Sequence, residues 1–339
     1  MRYTGDVEDR YGHHISYLRV SITDRCNERC HYCMPTEEQE WLARDEVLTY
    51  EELLRLIRIT VDLGVRKIRI TGGEPLTRRD VIWFMDQLGK VPGLTDIGLS
   101  TNGTLLARPV REGGVTHAER LRQAGVRTVN VSLDTLDRTT YQRVTGRDFF
   151  PLVLDGLEAA KSAGFEQIKL NCVLMRHRNE HEIWDLVRFA ETHGYLLRFI
   201  ELMPVSTTEV LSEENFFPIA EARRLIEYQF GTLEPAPDFR TNGPATYYRL
   251  SSGQTIGFIG AMTNLHFCET CNKLRLTCEG RLRPCLGSHL EHDLLGPLRA
   301  GASDEELRRH ILEVVDKKPK EHDFRGAYQP GRRMIAIGG

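Results

Sequence analysis

Three cysteines near the amino terminus have the spacing of a metal-ligand set. Cys26, Cys30 and Cys33 form the pattern CxxxCxxC, and we refer to them as the first cysteine group. Three thiolates fall one short of the four cysteines that usually hold a 4Fe-4S cluster, which leaves one iron open to a small molecule. A structural zinc ion needs four tetrahedral ligands, and His31 is a poor fourth ligand because it is adjacent to Cys30. The spacing therefore favours a 4Fe-4S cluster with an open iron.

A second cysteine group, consisting of Cys268, Cys271 and Cys285, lies towards the carboxyl end. It reads CxxC, thirteen residues, then Cys, with Cys278 inside the interval. An iron–sulfur cluster and a zinc ribbon fit this spacing equally well, because CxxC with two more cysteines is common in zinc sites. A predicted hairpin that turns at Glu279-Gly280 places four cationic side chains beside this group: Lys273, Arg275, Arg281 and Arg283.

Composition limits the class of protein. The chain has 339 residues, and 45 Lys and Arg against 48 Asp and Glu give a net charge of -3, which argues against non-specific binding to nucleic acid or anionic membranes. The first residues contain no apolar core of a secretion signal, and no stretch approaches membrane-spanning length. We therefore expect a cytoplasmic protein whose cysteines serve metal or redox chemistry, since the cytosol keeps thiols reduced.

The elements that would position these cysteines follow a repeated strand–turn–helix pattern over residues 15–202. Helices are predicted between the strands, for example at 50–63 and 180–193. Six such units indicate a parallel sheet with right-handed crossovers, closed as a barrel or open as a partial barrel. The predicted strands contain residues 18–20, 67–70, 97–99, 129–131, 168–170 and 197–199.

The composition changes after Met203-Pro204, where a polar stretch leads to Pro235-Ala236-Pro237 and then Thr241-Asn242-Gly243-Pro244. We therefore predict a barrel domain over residues 1–235 and a smaller domain over 236–339. The smaller domain is expected to contain strands at 247–250 and 255–259 and a helix at 304–315.

The predicted strands alternate polar and apolar residues, although parallel strands covered on both faces usually read as continuous apolar runs. Because the apolar face must meet the outer helices, the polar face is expected to line the lumen. Five cations on that face would suit a polyphosphate, and salt bridges to Glu74, Asp134 and Glu201 are the alternative. The five cations are Arg19, Lys67, Arg69, Lys169 and Arg198.

The first cysteine group, with Tyr32 before its last cysteine, resembles the signature of the radical S-adenosylmethionine (SAM) superfamily. Gly72-Gly73-Glu74-Pro75, directly after the second predicted strand, is similar to the superfamily's glycine-rich SAM-binding motif. In that superfamily the open iron chelates the amino and carboxylate groups of SAM, and one electron cleaves SAM to a 5'-deoxyadenosyl radical.

Further motifs extend the resemblance along the whole chain to the GTP 3',8-cyclase family of molybdenum cofactor biosynthesis. The resemblance implies a partial (β/α)6 TIM-type radical SAM barrel, with a smaller C-terminal α+β domain that binds a second 4Fe-4S cluster. The motifs are TDRCNxRCxYCMP at 23–35, KIRITGGEPLxRRD at 67–80, STNG at 100–103, NVSLD at 130–134, RFIELM at 198–203, the second cysteine group, and Gly338-Gly339.

Site residues follow from the same resemblance, position by position. Metal ligands would be Cys26, Cys30, Cys33, Cys268, Cys271 and Cys285. SAM would be bound by Tyr32, Gly73, Ser132 and Met203. GTP would be bound by Arg19, Lys67, Arg69, Ser100, Lys169, Lys273, Leu274 and Arg275. A catalytic role would fall to Arg19, Lys169 and Arg198.

The implied reaction converts GTP to (8S)-3',8-cyclo-7,8-dihydroguanosine 5'-triphosphate. The deoxyadenosyl radical would take the 3' hydrogen of GTP, after which the ribose radical attacks C8 of guanine. The implied partners are GTP, SAM, an electron donor such as flavodoxin or ferredoxin, the downstream cyclic pyranopterin monophosphate synthase and a second copy of the chain. Neither nucleic acid nor a membrane is expected as a partner.

Two positions depart from the family's pattern. Lys273 stands where the family often has Arg, which replaces a bidentate phosphate ligand with a point charge. Cys278 is extra, and it is interpreted as a bystander thiol or as a fourth cluster ligand; Cys172 is interpreted as a small apolar residue.

Two other functions are weighed against this one. A peptide-modifying radical SAM enzyme would not need five lumen cations. An iron–sulfur electron carrier or metal-sensing regulator would leave the barrel and the glycine-rich motif unexplained.

Overall fold

The computed structural model describes residues 7–34, 40–206, 212, 214–241, 243–326, 328 and 331–338. Pro35, Asn242 and Gly339, which belong to predicted motifs and linkers, lie outside the described residues. The strands are β1 (Tyr17–Ser21), β2 (Lys67–Thr71), β3 (Asp96–Thr101), β4 (Thr128–Ser132), β5 (Gln167–Leu174), β6 (Leu196–Glu201), β7 (Glu234–Pro235), β8 (Thr246–Arg249), β9 (Thr255–Ile259), β10 (Lys273–Leu276), β11 (Arg281–Arg283) and β12 (His292–Asp293). The α-helices are α1 (Tyr50–Asp62), α2 (Val81–Leu88), α3 (His117–Gln123), α4 (Arg138–Thr145), α5 (Phe150–Ser162), α6 (Ile183–His193), α7 (Ile219–Phe230), α8 (Leu295–Arg299), α9 (Asp304–Asp316) and α10 (Met334–Ile337).

Local sequence signals account for the helix boundaries. Thr49 caps α1 by accepting a hydrogen bond from the Glu52 amide, and Ser303 caps α9 in the same way. The helix predicted at 180–193 begins with a 3₁₀ turn at Glu180–Glu182, so α6 proper starts three residues later than predicted. The other helices and strands predicted from the sequence are found within one residue of the expected bounds or contain the expected runs.

All the strands belong to one sheet with the order β12-β11-β10-β1-β2-β3-β4-β5-β6-β9-β8-β7. Strands β1 to β6 are parallel neighbours, and each is followed by at least one helix, which confirms the predicted partial (β/α)6 barrel. The apolar faces of these strands pack against the helices; Leu18, Val20 and Ile70 are all fully buried there.

The carboxyl-terminal part extends both edges of the barrel sheet. β9 pairs in parallel with β6, and β10 pairs in parallel with β1. The segment 260–272 connects these two strands, so it must pass from one edge of the parallel array to the other. The predicted domains 1–235 and 236–339 therefore share one sheet.

None of the helices in the described ranges combines the length and apolar character needed to cross a membrane.

Candidate active site

A cavity of about 350 Å³ lies inside the partial barrel, within the size range of small-molecule sites. Both cysteine groups line it, together with Gly72 and Gly73 of the glycine-rich motif and most of the predicted cations. Strand register shows how they are arranged. Arg19 of β1 lies level with Arg69 of β2 and with Arg275 of β10.

The two cysteine groups lie at opposite ends of this cavity. The first group follows the carboxyl end of β1, where parallel barrels commonly hold their reactive groups. Cys271 precedes β10, whose first residue Lys273 pairs with Tyr17 at the start of β1. The lumen cations therefore lie between the two groups.

The loop that carries the first cysteine group rests on the glycine-rich turn. The Gly73 amide donates to the Thr23 carbonyl oxygen at 2.8 Å, and a Cβ atom at Gly73 would lie 2.3 Å from the Arg25 carbonyl oxygen. Only glycine permits this approach. The amides of Cys33 and Met34 both donate to the Cys30 carbonyl at 2.9 Å, which turns the second half of the loop back towards the cavity.

The thiols of the first group fit an iron–sulfur cluster. Burial raises the pKa of Cys33 to about 12, and burial with the charges of neighbouring acidic groups raises the pKa values of Cys26 and Cys30 as well. These thiols would stay protonated unless a metal centre stabilised the thiolates. No three His, Cys, Asp or Glu side chains in the described part of the chain are arranged to hold a single metal ion, whereas a cluster binds each thiolate to a different iron.

The second group has cationic surroundings. Burial acts to raise the pKa of Cys271, but the charges of Lys318 and Lys273 lower it below its usual value. Burial raises the pKa of Cys285 to about 11. Cys278 is fully buried and lies past the opposite end of β10 from Cys271, and it does not line the cavity.

The SAM residues expected from the resemblance gather at the first group's end of the cavity. Tyr32, Gly73, Ser132 and Met203 all line it. The Tyr32 hydroxyl donates to the Asp134 carboxylate at 2.8 Å, which fixes the ring beside the cysteines.

Most, though not all, of the expected GTP residues reach the cavity. Arg19, Arg69, Ser100, Lys169, Lys273 and Arg275 line it, as does Arg198. Lys67 begins β2 and does not line the cavity, because it lies one pleat nearer the amino end of the strand than Arg69. The Leu274 side chain is buried in the hydrophobic core on the other face of β10.

The carboxylates considered as salt-bridge partners are bonded to other groups. Glu74 accepts from Thr101 Oγ1 at 2.9 Å and from the Asn102 amide at 2.7 Å. Glu201 accepts from the amides at 219, 262 and 263. Asp134 accepts from Tyr32 and from the Val173 amide at 2.8 Å. All of these hydrogen bonds come from neutral hydroxyl or amide donors, so none of them is an ion pair with a lumen cation.

Neutral groups hold the arginines in place instead. Arg69 donates to the Tyr17 hydroxyl, the Leu99 carbonyl and Thr128 Oγ1 at 2.9 to 3.0 Å, and its guanidinium lies where a Cβ at Gly98 would be. Arg198 donates to the Asn171 side-chain oxygen at 2.9 Å through Nε.

Crowded cations shift the pKa values of their neighbours. Burial, followed by the charges of Arg198 and Arg69, lowers the pKa of Lys169 to about 7. Although burial acts in the opposite direction, the charges of Arg69, Arg19 and Lys273 lower the pKa of Tyr17 to about 8. An anion in the cavity would relieve this repulsion.

Several lining residues were not among the predicted site residues. Tyr17 precedes Arg19 by two residues and Asn171 follows Lys169 by two, so strand alternation could have identified both. Met334 and Ile335 of the carboxyl-terminal segment also line the cavity, and Arg275 donates to the Gly338 carbonyl oxygen at 2.7 Å. Only the Gly-Gly ending hinted at this return of the chain.

Comparisons with known proteins agree with this arrangement. The profile of the Radical SAM superfamily matches residues 20–190, and the profile of Molybdenum Cofactor Synthesis C matches residues 195–324. The GTP 3',8-cyclase of Moorella thermoacetica is 42% identical over 98% of this chain and 100% of its own length, and that of Thermodesulfovibrio yellowstonii is 41% identical over the same shares. The crystal structure of Streptococcus suis SuiB bound to S-adenosylmethionine has a TM-score of 0.59 at 17% identity, covering 91% of this chain and 67% of that one, which shows a shared fold. The chain belongs to the radical SAM superfamily and, within it, to the GTP 3',8-cyclase family.

Proposed function

We propose that this chain converts GTP to (8S)-3',8-cyclo-7,8-dihydroguanosine 5'-triphosphate, the first step of molybdenum cofactor biosynthesis. The observation that carries the proposal is one cavity with a cysteine group at each end and a band of cations between them. A triphosphate needs several cationic ligands, whereas a peptide substrate does not.

The first cysteine group would hold a 4Fe-4S cluster with SAM on its open iron, beside Tyr32, Gly73, Ser132 and Met203. When bound, the cluster and SAM would supply a 5'-deoxyadenosyl radical that takes the 3' hydrogen of GTP. The chain's own part is to hold the 3' carbon close to that end and to exclude water and other hydrogen donors.

The cation band would hold the triphosphate. Arg19, Lys169 and Arg198 project from three different strands, so together they fix the position of an anion along the cavity as well as neutralise it. Arg69 would contribute its charge and its remaining N–H donors, because three of the five N–H groups of a guanidinium already bond Tyr17, Leu99 and Thr128. Lys273 and Arg275 extend the band towards the second cysteine group.

The second cysteine group would hold a second 4Fe-4S cluster, which would supply an open iron for the guanine base. Its three thiols face the cavity at the end opposite the SAM site. GTP would therefore lie between the two cysteine groups, with its ribose nearer the first group.

We further propose how the chain is organised, where it acts and which proteins it works with. These proposals are a division into domains at residue 235, a cytoplasmic location, a flavodoxin or ferredoxin as electron donor, cyclic pyranopterin monophosphate synthase as the next enzyme, and a homodimer.

An anaerobic assay tests the proposal. The reconstituted chain is mixed with dithionite, SAM and GTP, 5'-deoxyadenosine is followed by chromatography, and the nucleotide product is analysed by mass spectrometry. Deoxyadenosine that depends on GTP, together with a cyclised isomer of GTP, is expected. If equal amounts of deoxyadenosine form without GTP, the chain cleaves SAM but GTP is not its substrate.

A further inference from the structure

A buried lysine lies behind the second cysteine group, outside the lining of the cavity. Lys318 follows α9, and only 3% of its surface is exposed. Its ammonium donates to the Lys273 carbonyl oxygen at 3.0 Å, to the Pro284 carbonyl oxygen at 2.6 Å and to the Cys271 sulfur at 3.5 Å. These three contacts use all three N–H donors of the ammonium group.

The three acceptors join the two segments that carry the second cysteine group. Cys271 lies just before β10, and Cys285 directly follows Pro284, after β11. A single side chain from a third part of the chain therefore fixes how far apart these segments lie. Removing it would leave two buried carbonyl groups without their donor.

The charge of Lys318 is balanced by no carboxylate among these partners, which are two carbonyl groups and a thiol. Burying an ammonium is costly unless an anion lies nearby. Three thiolates and a 4Fe-4S core together carry net negative charge, which increases by one when the cluster is reduced. A cluster at this position would supply the missing anion.

Lys273 lies on the cavity side of the second cysteine group, whereas Lys318 lies on the side away from the cavity. It lines the cavity, its ammonium donates to the Asn272 side-chain oxygen at 3.0 Å, and it lies 5.7 Å from the centre of the Tyr17 ring. Lys273 is placed to meet a substrate, whereas Lys318 contacts Cys271 and two backbone carbonyl groups away from the cavity.

We propose that Lys318 is a positioning residue of the second cluster, which holds the two ligand segments together and raises the cluster's reduction potential. This inference rests on the proposed function, because it requires a cluster at the second cysteine group. Net charge and hydrogen bonds to the sulfurs are among the factors that set such potentials. The cation stabilises the reduced cluster more than the oxidised one, since the reduced form is more negative.

The test uses the full chain with Cys26, Cys30 and Cys33 all replaced by alanine, so that only the second cysteine group binds iron. Lys318→Met removes the charge at similar length, and Lys317→Met is the matched control at an exposed neighbour. The midpoint potential is measured by EPR during titration with dithionite. We expect Lys318→Met to lower the equilibrium constant for reduction about tenfold, or about 59 mV for one electron, and Lys317→Met to leave it unchanged.

An unchanged potential in Lys318→Met, with iron at the parent level, would overturn this inference and leave the second cluster in place. Zinc instead of iron in the parent protein would contradict the proposed function itself. If Lys318→Met binds no iron, the midpoint potential is measured in Lys318→Arg, which keeps the positive charge. A potential equal to that of the parent protein would support the role of charge, and a shifted potential would reject it. If neither variant binds iron, the parent protein with the further change Lys273→Met is labelled with 15N-lysine. The EPR signal of its reduced cluster must then show coupling to a lysine 15N nucleus. Absence of this coupling would overturn the inference.

Discussion

At the carboxyl end of the parallel strands, the Cys26 thiol lies in the field of the Glu74 and Glu28 carboxyl groups, whereas at the other end Cys271 lies in the field of two ammonium groups. The two ends thus present the same ligand type in different electrostatic settings. Burial raises the pKa of Glu74 to about 7 and that of Glu28 to about 8, so these carboxyl groups are only partly ionised near neutral pH. SAM carries a sulfonium and an ammonium group, and GTP carries a polyphosphate. The acidic end, at the first cysteine group, suits SAM. The cation band and the end at the second cysteine group suit GTP.

Removing a thiol from the first cysteine group should have the largest effect. Cys30→Ala should lower SAM cleavage by at least about a thousandfold, because the cofactors carry the reaction and this variant cannot hold them. Cleavage is measured as 5'-deoxyadenosine formed under dithionite.

The matched control is Cys278→Ala, which removes a thiol that does not line the cavity. It should keep the parent iron content and SAM cleavage, with a loss of about 1 kcal/mol in the free energy of unfolding from the small cavity left behind. Loss of iron in this variant would show that Cys278 is a ligand after all.

The cation band is expected to give the next largest effect. Lys169→Met should weaken GTP binding by about 10- to 100-fold, since a hydrogen bond to a charged group contributes about 1.5–3 kcal/mol. Lys67→Met, which changes a lysine of β2 outside the cavity lining, should change binding less than about threefold. Equal losses in both variants, measured by equilibrium dialysis without SAM, would contradict the placement of the triphosphate.

The pH dependence of GTP binding should show a smaller effect of the same lysine, Lys169. Because the pKa of Lys169 is lowered to about 7 in the free protein, the side chain is largely neutral at pH values above 7. An anion favours the charged form, so binding should take up a proton there, and affinity should fall by up to about tenfold per pH unit above pH 7. Calorimetry in buffers of different ionisation enthalpy measures this uptake.

Lys169→Arg keeps its charge throughout this range, so it should flatten the pH profile. An unchanged slope in that variant would assign the proton to another group.

Gly73→Ala should disturb only the end of the cavity that carries the first cysteine group. The new Cβ would lie 2.3 Å from the Arg25 carbonyl oxygen, so the turn and the first cysteine loop must move apart. We expect about 1–3 kcal/mol of destabilisation and weaker SAM binding with GTP binding retained. A parallel loss of GTP affinity would show that the two ends are not separable.

The sequence predicts the barrel half of the molecule well, because strand alternation and helix caps are local signals. Arg19 and Lys169 could be assigned to the lumen from a period of two alone. The pairing of β10 with β1 joins residues 256 positions apart, such as Tyr17 and Lys273, and no local pattern encodes it.

The same limit explains the site residues that sequence analysis misplaced or missed. Lys67 shares a strand face with Arg69, but the pattern does not give its depth along the cavity. Lys318 lies in a short charged run that reads as a solvated surface, and its burial follows only from tertiary packing.

A labelling experiment with GTP deuterated at the ribose 3' carbon shows which hydrogen atom the radical removes. If the cavity holds that carbon against the SAM end, the deuterium must appear in 5'-deoxyadenosine, and mass spectrometry should find one deuterium per turnover. Unlabelled deoxyadenosine formed together with a nucleotide product that keeps its deuterium would contradict the account.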